Sequence, residues 1–178
     1  MSASVPHGSL ARPGASPVAA GAVWAVVTGM YEAYAAGDRE GIDARLDPGA
    51  TVWDSAAEPL LLGKSDLDRL RAERPAAGDG PEETGLDAYD PVIDVFGDLA
   101  LVRYWLRVDF APAPDGGRLR PELVRNTALL RKGGDGKGGD GVGDDGKGDD
   151  GKGADGTWRI VHLHEDVRQP GGVPENAG

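Results

Sequence analysis

The sequence predicts an α+β fold in which helices pack on one face of a curved antiparallel sheet. In the first half of the chain, apolar residues recur at three- and four-residue spacing, which is typical of amphipathic helices. In the second half, long segments alternate apolar and polar residues and are separated by turn residues. Helices followed by a meander of strands indicate the α+β class, and 178 residues suit one domain.

Local signals place the elements of the first half. Val23, Val27 and Met30 recur on one helical face, and Gly37 supplies a stop. Ser65 followed by Asp68 resembles a capping box. The predicted elements are a helix over 17–36, a short helix from 38 to 46, short strands at 51–53 and 59–63, and a helix from 65 to 75.

The second half reads as four long strands. They are predicted at 86–96, 99–110, 119–131 and 158–167. The strand over 99–110 has one face with no charged residue, and we expect this face to contact the helices. Its members are Ala100, Val102, Tyr104, Leu106 and Val108.

The predicted domain spans 17–168, with segments at both ends and one insertion that lack core-forming residues. Residues 1–16 and 169–178 are predicted to be disordered tails. The segment 133–156 contains 12 Gly and 7 Asp, and it cannot bury enough apolar surface to become ordered. It is predicted to be a flexible hairpin insertion rather than a calcium loop, because it contains no Glu to end a calcium-binding loop.

Charge and composition exclude several classes of partner. The net charge is −11, and no basic stripe is present, which argues against nucleic acid and anionic membranes. There is no Cys, no apolar run of membrane-spanning length and no leader pattern. We expect a cytoplasmic protein that uses neither a metal nor another cofactor.

The last predicted strand carries the most informative pattern. Simple alternation places Ile160, His162 and His164 on one face, opposite a face formed by Val161, Leu163 and Val167. A buried imidazole needs hydrogen-bond partners. The histidine face therefore lines a polar cavity or belongs to a satisfied polar core, and the sequence leaves both interpretations open.

Four segments resemble a known family. AYAAGDREGIDARLDPGATVWD, FGDLALVRYWLRV, LVRNTALLRK and GTWRIVHLHEDV are similar to the association (hub) domain of calcium/calmodulin-dependent kinase II. More broadly, they resemble the SnoaL-like group of the nuclear transport factor 2 superfamily. The resemblance implies a cone, in which a bent sheet wraps a long N-terminal helix and two shorter ones around a pocket. It also implies that the outer sheet face forms a homodimer.

The resemblance further implies that Arg107 and Arg125 point into the pocket, where guanidinium groups can bind a small carboxylate. The chain departs from the hub pattern at Glu165, where a further pocket Arg is expected, and at Ile42, which replaces a Tyr. The alternative is that the two arginines pair with internal acids. The candidates for such pairs are Glu165, Asp94 and Asp109.

Acid–base chemistry is a second possibility, since polyketide cyclases and ketosteroid isomerases of this superfamily move a proton beside a carbonyl group. The catalytic candidates are His162, His164 and Asp54, and the hydroxyl donors are Tyr31, Tyr34 and Tyr104.

The sequence thus predicts a homodimeric domain that binds a small organic molecule, either a carboxylate or a carbonyl compound. Its alternatives are an isomerase- or cyclase-type enzyme and a free-standing oligomerisation module, and the sequence does not decide between them. The predicted pocket residues are Tyr31, Trp53, Arg107, Arg125, His162 and His164.

Overall fold

A computed structural model of the chain describes residues 10–11, 15–55, 58–73, 80–133 and 156–175. Within these ranges the chain forms three helices and seven strands. None of these helices combines the length and apolar composition that a membrane span requires. The elements are β1 (Leu10–Ala11), α1 (Pro17–Ala35), α2 (Arg39–Arg45), β2 (Leu46–Trp53), β3 (Leu61–Leu62), α3 (Gly63–Glu73), β4 (Glu83–Phe96), β5 (Leu99–Phe110), β6 (Glu122–Lys132) and β7 (Trp158–Gln169).

The boundaries of α1 follow from its capping residues. The side chain of Ser16 accepts a hydrogen bond from the backbone N–H of Ala19 at 3.1 Å, and Pro17 occupies the first turn, where its missing N–H has no cost. The helix ends before Gly37, whose φ of 68° lies in the left-handed region. Its buried face includes Val23 and Val27, which have no exposed surface.

The α+β architecture predicted from the sequence is confirmed, but the sheet is mixed rather than antiparallel throughout. The strand order is β1-β4-β5-β6-β7-β2-β3. The meander from β4 to β7 is antiparallel, whereas β2 runs parallel to β7 and β1 runs parallel to β4. Hairpins fix the direction of the meander strands, but no hairpin joins β2 to β7 and its direction is therefore not constrained in this way.

The core lies between α1 and the concave face of the sheet. All five residues predicted to contact the helices from β5 are buried, which confirms this part of the strand analysis. The matching positions of β6 add Val124, Ala128 and Leu130, which are at most 2% exposed. Alternation along two neighbouring strands thus supplies one continuous apolar surface.

Parts of both predicted tails form ordered contacts. Leu10–Ala11, which lie within the predicted N-terminal tail, pair with Val92 and Ile93 of β4. At the other end, the backbone from 170 to 175 folds onto the connection between β5 and β6, where the N–H of Arg120 donates to the carbonyl of Val173 at 2.8 Å. The predicted insertion lies outside the described residues except at its ends, where the N–H of Gly133 donates to Thr157 at 2.9 Å.

The contact between the C-terminal segment and the sheet gives a stability prediction. A Cβ atom at Gly171 would lie 2.4 Å from the backbone nitrogen of Glu122 and 2.5 Å from the ring of Phe110. We expect Gly171→Ala to lower the free energy of unfolding by about 1–3 kcal/mol, because backbone must move to relieve the clash. Urea denaturation measures this change.

Gly21→Ala is the matched control. The site lies in α1, and a Cβ atom there meets nothing within 4 Å. This substitution is expected to stabilise the protein by up to about 1 kcal/mol, since Ala has the higher helix propensity. An unchanged midpoint for Gly171→Ala would mean that the C-terminal segment does not pack against the sheet in solution.

Candidate functional site

A β-bulge in β7 decides which side chains face the helices. Leu129 and Leu130 of β6 pair with His162 and Ile160 of β7, so one additional residue, Val161, lies between the paired positions. Such an insertion reverses the alternation of the strand beyond it. The prediction that Ile160, His162 and His164 share one face is therefore wrong, because it treated the strand as uninterrupted.

Beyond the bulge, the acidic and aliphatic residues face inward. Leu163 is buried at 5% exposure, and Glu165 and Val167 line a cavity between the sheet and the helices. His162 and His164 lie on the opposite surface of the sheet, which we call the outer face. The Nδ1 atom of His162 is 2.8 Å from the hydroxyl of Thr51.

Five of the six predicted pocket residues lie away from the cavity. Arg107 pairs with Asp109 at 2.7 Å, and Arg125 pairs with Asp166 at 2.6 Å, both on the outer face. Trp53 is 42% exposed and pairs in register with His164. We expected these side chains to share a pocket with Tyr31, but the structure places them elsewhere. The reason is that the inner faces of β5 and β6 are apolar. The sixth residue, Tyr31, lines the cavity, as does Asp54.

The cavity has a volume of about 750 Å³. It is bounded by α1, α2, α3 and the concave face of the sheet. In the part of the chain that the structure describes, no three His, Asp or Glu side chains are grouped so that they can hold a metal ion. The charged residues of the cavity wall are Arg39, Asp54, Arg71, Glu83, Glu122 and Glu165. The aliphatic residues of the wall include Leu67, Leu70, Leu86, Leu106, Val108 and Val124.

A pair of tyrosines forms the polar centre beside the cavity. The hydroxyl groups of Tyr31 and Tyr104 are 2.8 Å apart, and the amide of Asn126 donates to Tyr31 at 3.5 Å. Burial raises the pKa of both tyrosines, and the negative charge of Glu165 adds to the increase. Both hydroxyls therefore remain protonated at neutral pH. One of them donates to the other, which leaves one O–H group of the pair to donate elsewhere.

The strand register connects this pair to Glu165. Tyr104, Asn126 and Glu165 are direct partners across β5, β6 and β7, so they form one polar row on the inner face. Asn126 has no exposed surface, and its Oδ1 atom has no hydrogen-bond partner among the described residues. Sequence reasoning missed Asn126, although a polar residue between the inward-facing Val124 and Ala128 is a signal that points to it.

Ion pairs hold α3 against α2 beside the cavity. Arg71, on the cavity wall, contacts the carboxylates of Asp43 and Asp68 at 3.0 Å each. Lys64 makes a second contact with Asp43 at 2.5 Å. The guanidinium of Arg71 is thus already engaged by two carboxylates, which reduces its ability to bind an anionic ligand.

Solved structures with the same architecture identify the fold. The CaMKII hub of S. rosetta has a TM-score of 0.59 and 25% sequence identity, over 86% of this chain and 98% of that chain. A protein of unknown function from Pseudomonas putida, described as NTF2-like, has a TM-score of 0.60 and 17% identity, over 86% and 89% of the two chains. The fold is that of the nuclear transport factor 2-like proteins.

A third structure extends the comparison within this fold. A ketosteroid isomerase-like protein from Erwinia carotovora has a TM-score of 0.57 and 14% identity, over 84% of this chain and 96% of that chain. Neither a protein-family model nor a curated protein sequence matches this chain significantly. The suspected resemblance to the nuclear transport factor 2-like superfamily and the CaMKII hub is confirmed at the level of structure.

The tyrosine pair gives a prediction about coupling. Removing either hydroxyl by Tyr31→Phe or Tyr104→Phe leaves the other buried without its closest partner, at a cost of about 1–3 kcal/mol. The double substitution is expected to cost less than the sum of the two, since it removes both groups together. Chemical denaturation of the four proteins measures the coupling energy.

Tyr89→Phe serves as the control for losing a hydroxyl from a half-buried tyrosine of β4. Its effect on the free energy of unfolding should be below about 0.5 kcal/mol. Strict additivity of Tyr31→Phe and Tyr104→Phe would contradict a direct hydrogen bond between the two hydroxyls.

Proposed function

We propose that this protein binds a small organic molecule in the cavity between the sheet and the helices. The observation that carries the proposal is the cavity itself, whose volume of about 750 Å³ falls in the usual range for ligand sites. Its aliphatic wall offers apolar contact area, and Tyr31 and Glu165 add polar groups that can orient a ligand.

The charges on the wall favour an uncharged or carbonyl ligand over a carboxylate. Four carboxylates line the cavity, and Arg107 and Arg125, the residues expected to bind an anion, lie on the outer face. An anionic ligand would be repelled by these four carboxylates, and Arg71 of the wall is already bound by Asp43 and Asp68. A carbonyl oxygen requires only a hydroxyl donor.

An isomerase- or cyclase-type activity is a second candidate function. The supporting observation is that the carboxylates of Asp54 and Glu165 line the same cavity as Tyr31. A carboxylate that accepts a proton and a hydroxyl that stabilises the resulting oxyanion are the two groups this chemistry needs. The test is hydrogen–deuterium exchange at the α-carbon of a cyclic ketone, which Glu165→Gln should slow and which a non-enzymatic protein would not accelerate.

Self-association through the outer face is a third element of the proposal. Arg103, Arg107, Arg125 and Arg131 on this face each pair with an aspartate of the same chain, so these four positive charges are balanced within one chain. Trp105 and the aliphatic residues between these pairs provide surface that a second copy can cover. The likeness to the S. rosetta hub, and the dimer interface implied by the hub resemblance, support the same arrangement.

Filling the cavity tests ligand binding. The neutral dye Nile red, which fluoresces in apolar surroundings, should bind the unmodified protein. Leu67→Trp places a large ring at a cavity-lining position of α3 and is expected to weaken dye binding at least about tenfold. Ala72→Trp adds the same ring on the exposed side of α3 and should bind dye normally. Equal loss in both variants, or no dye binding at all, would contradict the proposal.

Light scattering tests self-association. The unmodified protein is expected to have about twice the chain mass of 18.4 kDa. Trp105→Glu introduces a charge at the centre of the outer face and should give a monomer, because burying an unpaired carboxylate is unfavourable. Val18→Glu is the control, since Val18 is 81% exposed on α1, and this variant should remain a dimer. A monomeric unmodified protein would refute the dimer.

A further inference from the structure

Two carboxylates without a cationic partner lie on the cavity wall. Glu83 begins β4 and Glu122 begins β6, and both line the cavity. Burial raises the pKa of Glu122, a backbone hydrogen bond from Gly171 partly offsets this increase, and the nearby charge of Glu83 adds to it. Neither carboxylate forms an ion pair with a Lys or Arg among the residues that the structure describes. The two like charges therefore have no cationic partner within the described residues.

An aliphatic surface leads away from this acidic end. Leu106, Val124 and Val167 are register partners across β5, β6 and β7, and all three line the cavity. The row lies between Glu122 and the polar row of Asn126. Four residues of strand separate these two positions, which corresponds to about 13 Å. An extended aliphatic chain of eight carbons is shorter than this distance and fits within it.

The arginines of the wall do not offset the acidic end. Arg71 is held by Asp43 and Asp68, as described above, and Arg39 is exposed on α2. The wall therefore carries more negative than positive charge, and one end combines two carboxylates with an adjoining apolar surface. A protonated amine with an aliphatic body matches both features, because it supplies a cation and up to three hydrogen-bond donors.

We propose that the cavity binds an organic cation, an aliphatic amine whose ammonium group lies between Glu83 and Glu122 and whose carbon chain covers Leu106, Val124 and Val167. This inference rests on the proposed ligand-binding function and specifies its ligand class. It replaces the carboxylate expected from the hub resemblance with a ligand of opposite charge. An aliphatic amine is protonated at neutral pH, as the side chain of lysine is.

Three ligands with the same carbon chain test the proposal through displacement of bound Nile red. They are octylamine, 1-octanol and octanoate, compared at neutral pH and moderate salt. Octylamine is expected to displace the dye at a concentration at least about tenfold lower than 1-octanol, and octanoate should be the weakest. Glu83→Gln and Glu122→Gln should each remove most of the advantage of octylamine while leaving displacement by 1-octanol unchanged.

Glu73→Gln is the matched control, because it removes one negative charge from an exposed position of α3 outside the cavity. It should bind octylamine as the unmodified protein does. Thermal melts establish that each variant is folded, and the exposed Glu83 provides a test if Glu122→Gln unfolds.

Three outcomes would overturn the cation inference while leaving the cavity proposal intact. They are equal displacement by octylamine and 1-octanol, preferred binding of octanoate, and equal losses in Glu73→Gln and in the two cavity variants. If Nile red itself fails to bind the unmodified protein, the proposed function and this inference both fall.

Discussion

The single residue inserted in β7 at Val161 determines the chemistry of both surfaces of the sheet. Before the bulge, Ile160 faces the helices, and after it Leu163 and Glu165 do so. A strand without the insertion would direct His162 inward and Glu165 outward. The acidic cavity and the histidine-bearing outer face are thus two results of one irregularity in strand pairing.

The two faces of the sheet differ in how their polar groups are satisfied. On the outer face, arginines pair with aspartates of the same chain, which balances their charges within one chain. On the inner face, the hydroxyls of Tyr31 and Tyr104 share one hydrogen bond, and the carboxylates of Glu83 and Glu122 lack a cationic partner in the described chain. A surface whose charges are already paired is suited to association with a second copy. A surface with unpaired charges is suited to binding a ligand of opposite charge.

Periodicity predicts the fold well because the long elements carry strong patterns. The bounds of β5 follow from alternation alone, and the inward face of Ala100, Val102 and Leu106 follows with them. The orientation of β7 beyond Ile160 could not be predicted, since a bulge depends on pairing with β6 and leaves no mark in the local pattern. The parallel pairing of β2 with β7 is likewise a tertiary outcome. The family resemblance predicted the arrangement of sheet and helices. It also implied that Arg107 and Arg125 point into the pocket, whereas in this chain they lie on the outer face.

We propose that the ligand binds at the inner face of the sheet, and not at the outer face with its histidines and arginines. A crystal structure with 8-bromooctan-1-ol tests this most directly, because anomalous scattering locates the bromine and the ligand carries no charge of its own. We expect a bromine peak inside the cavity, among Leu106, Val124 and Val167. A peak on the outer face, beside Arg125 or His164, would contradict it.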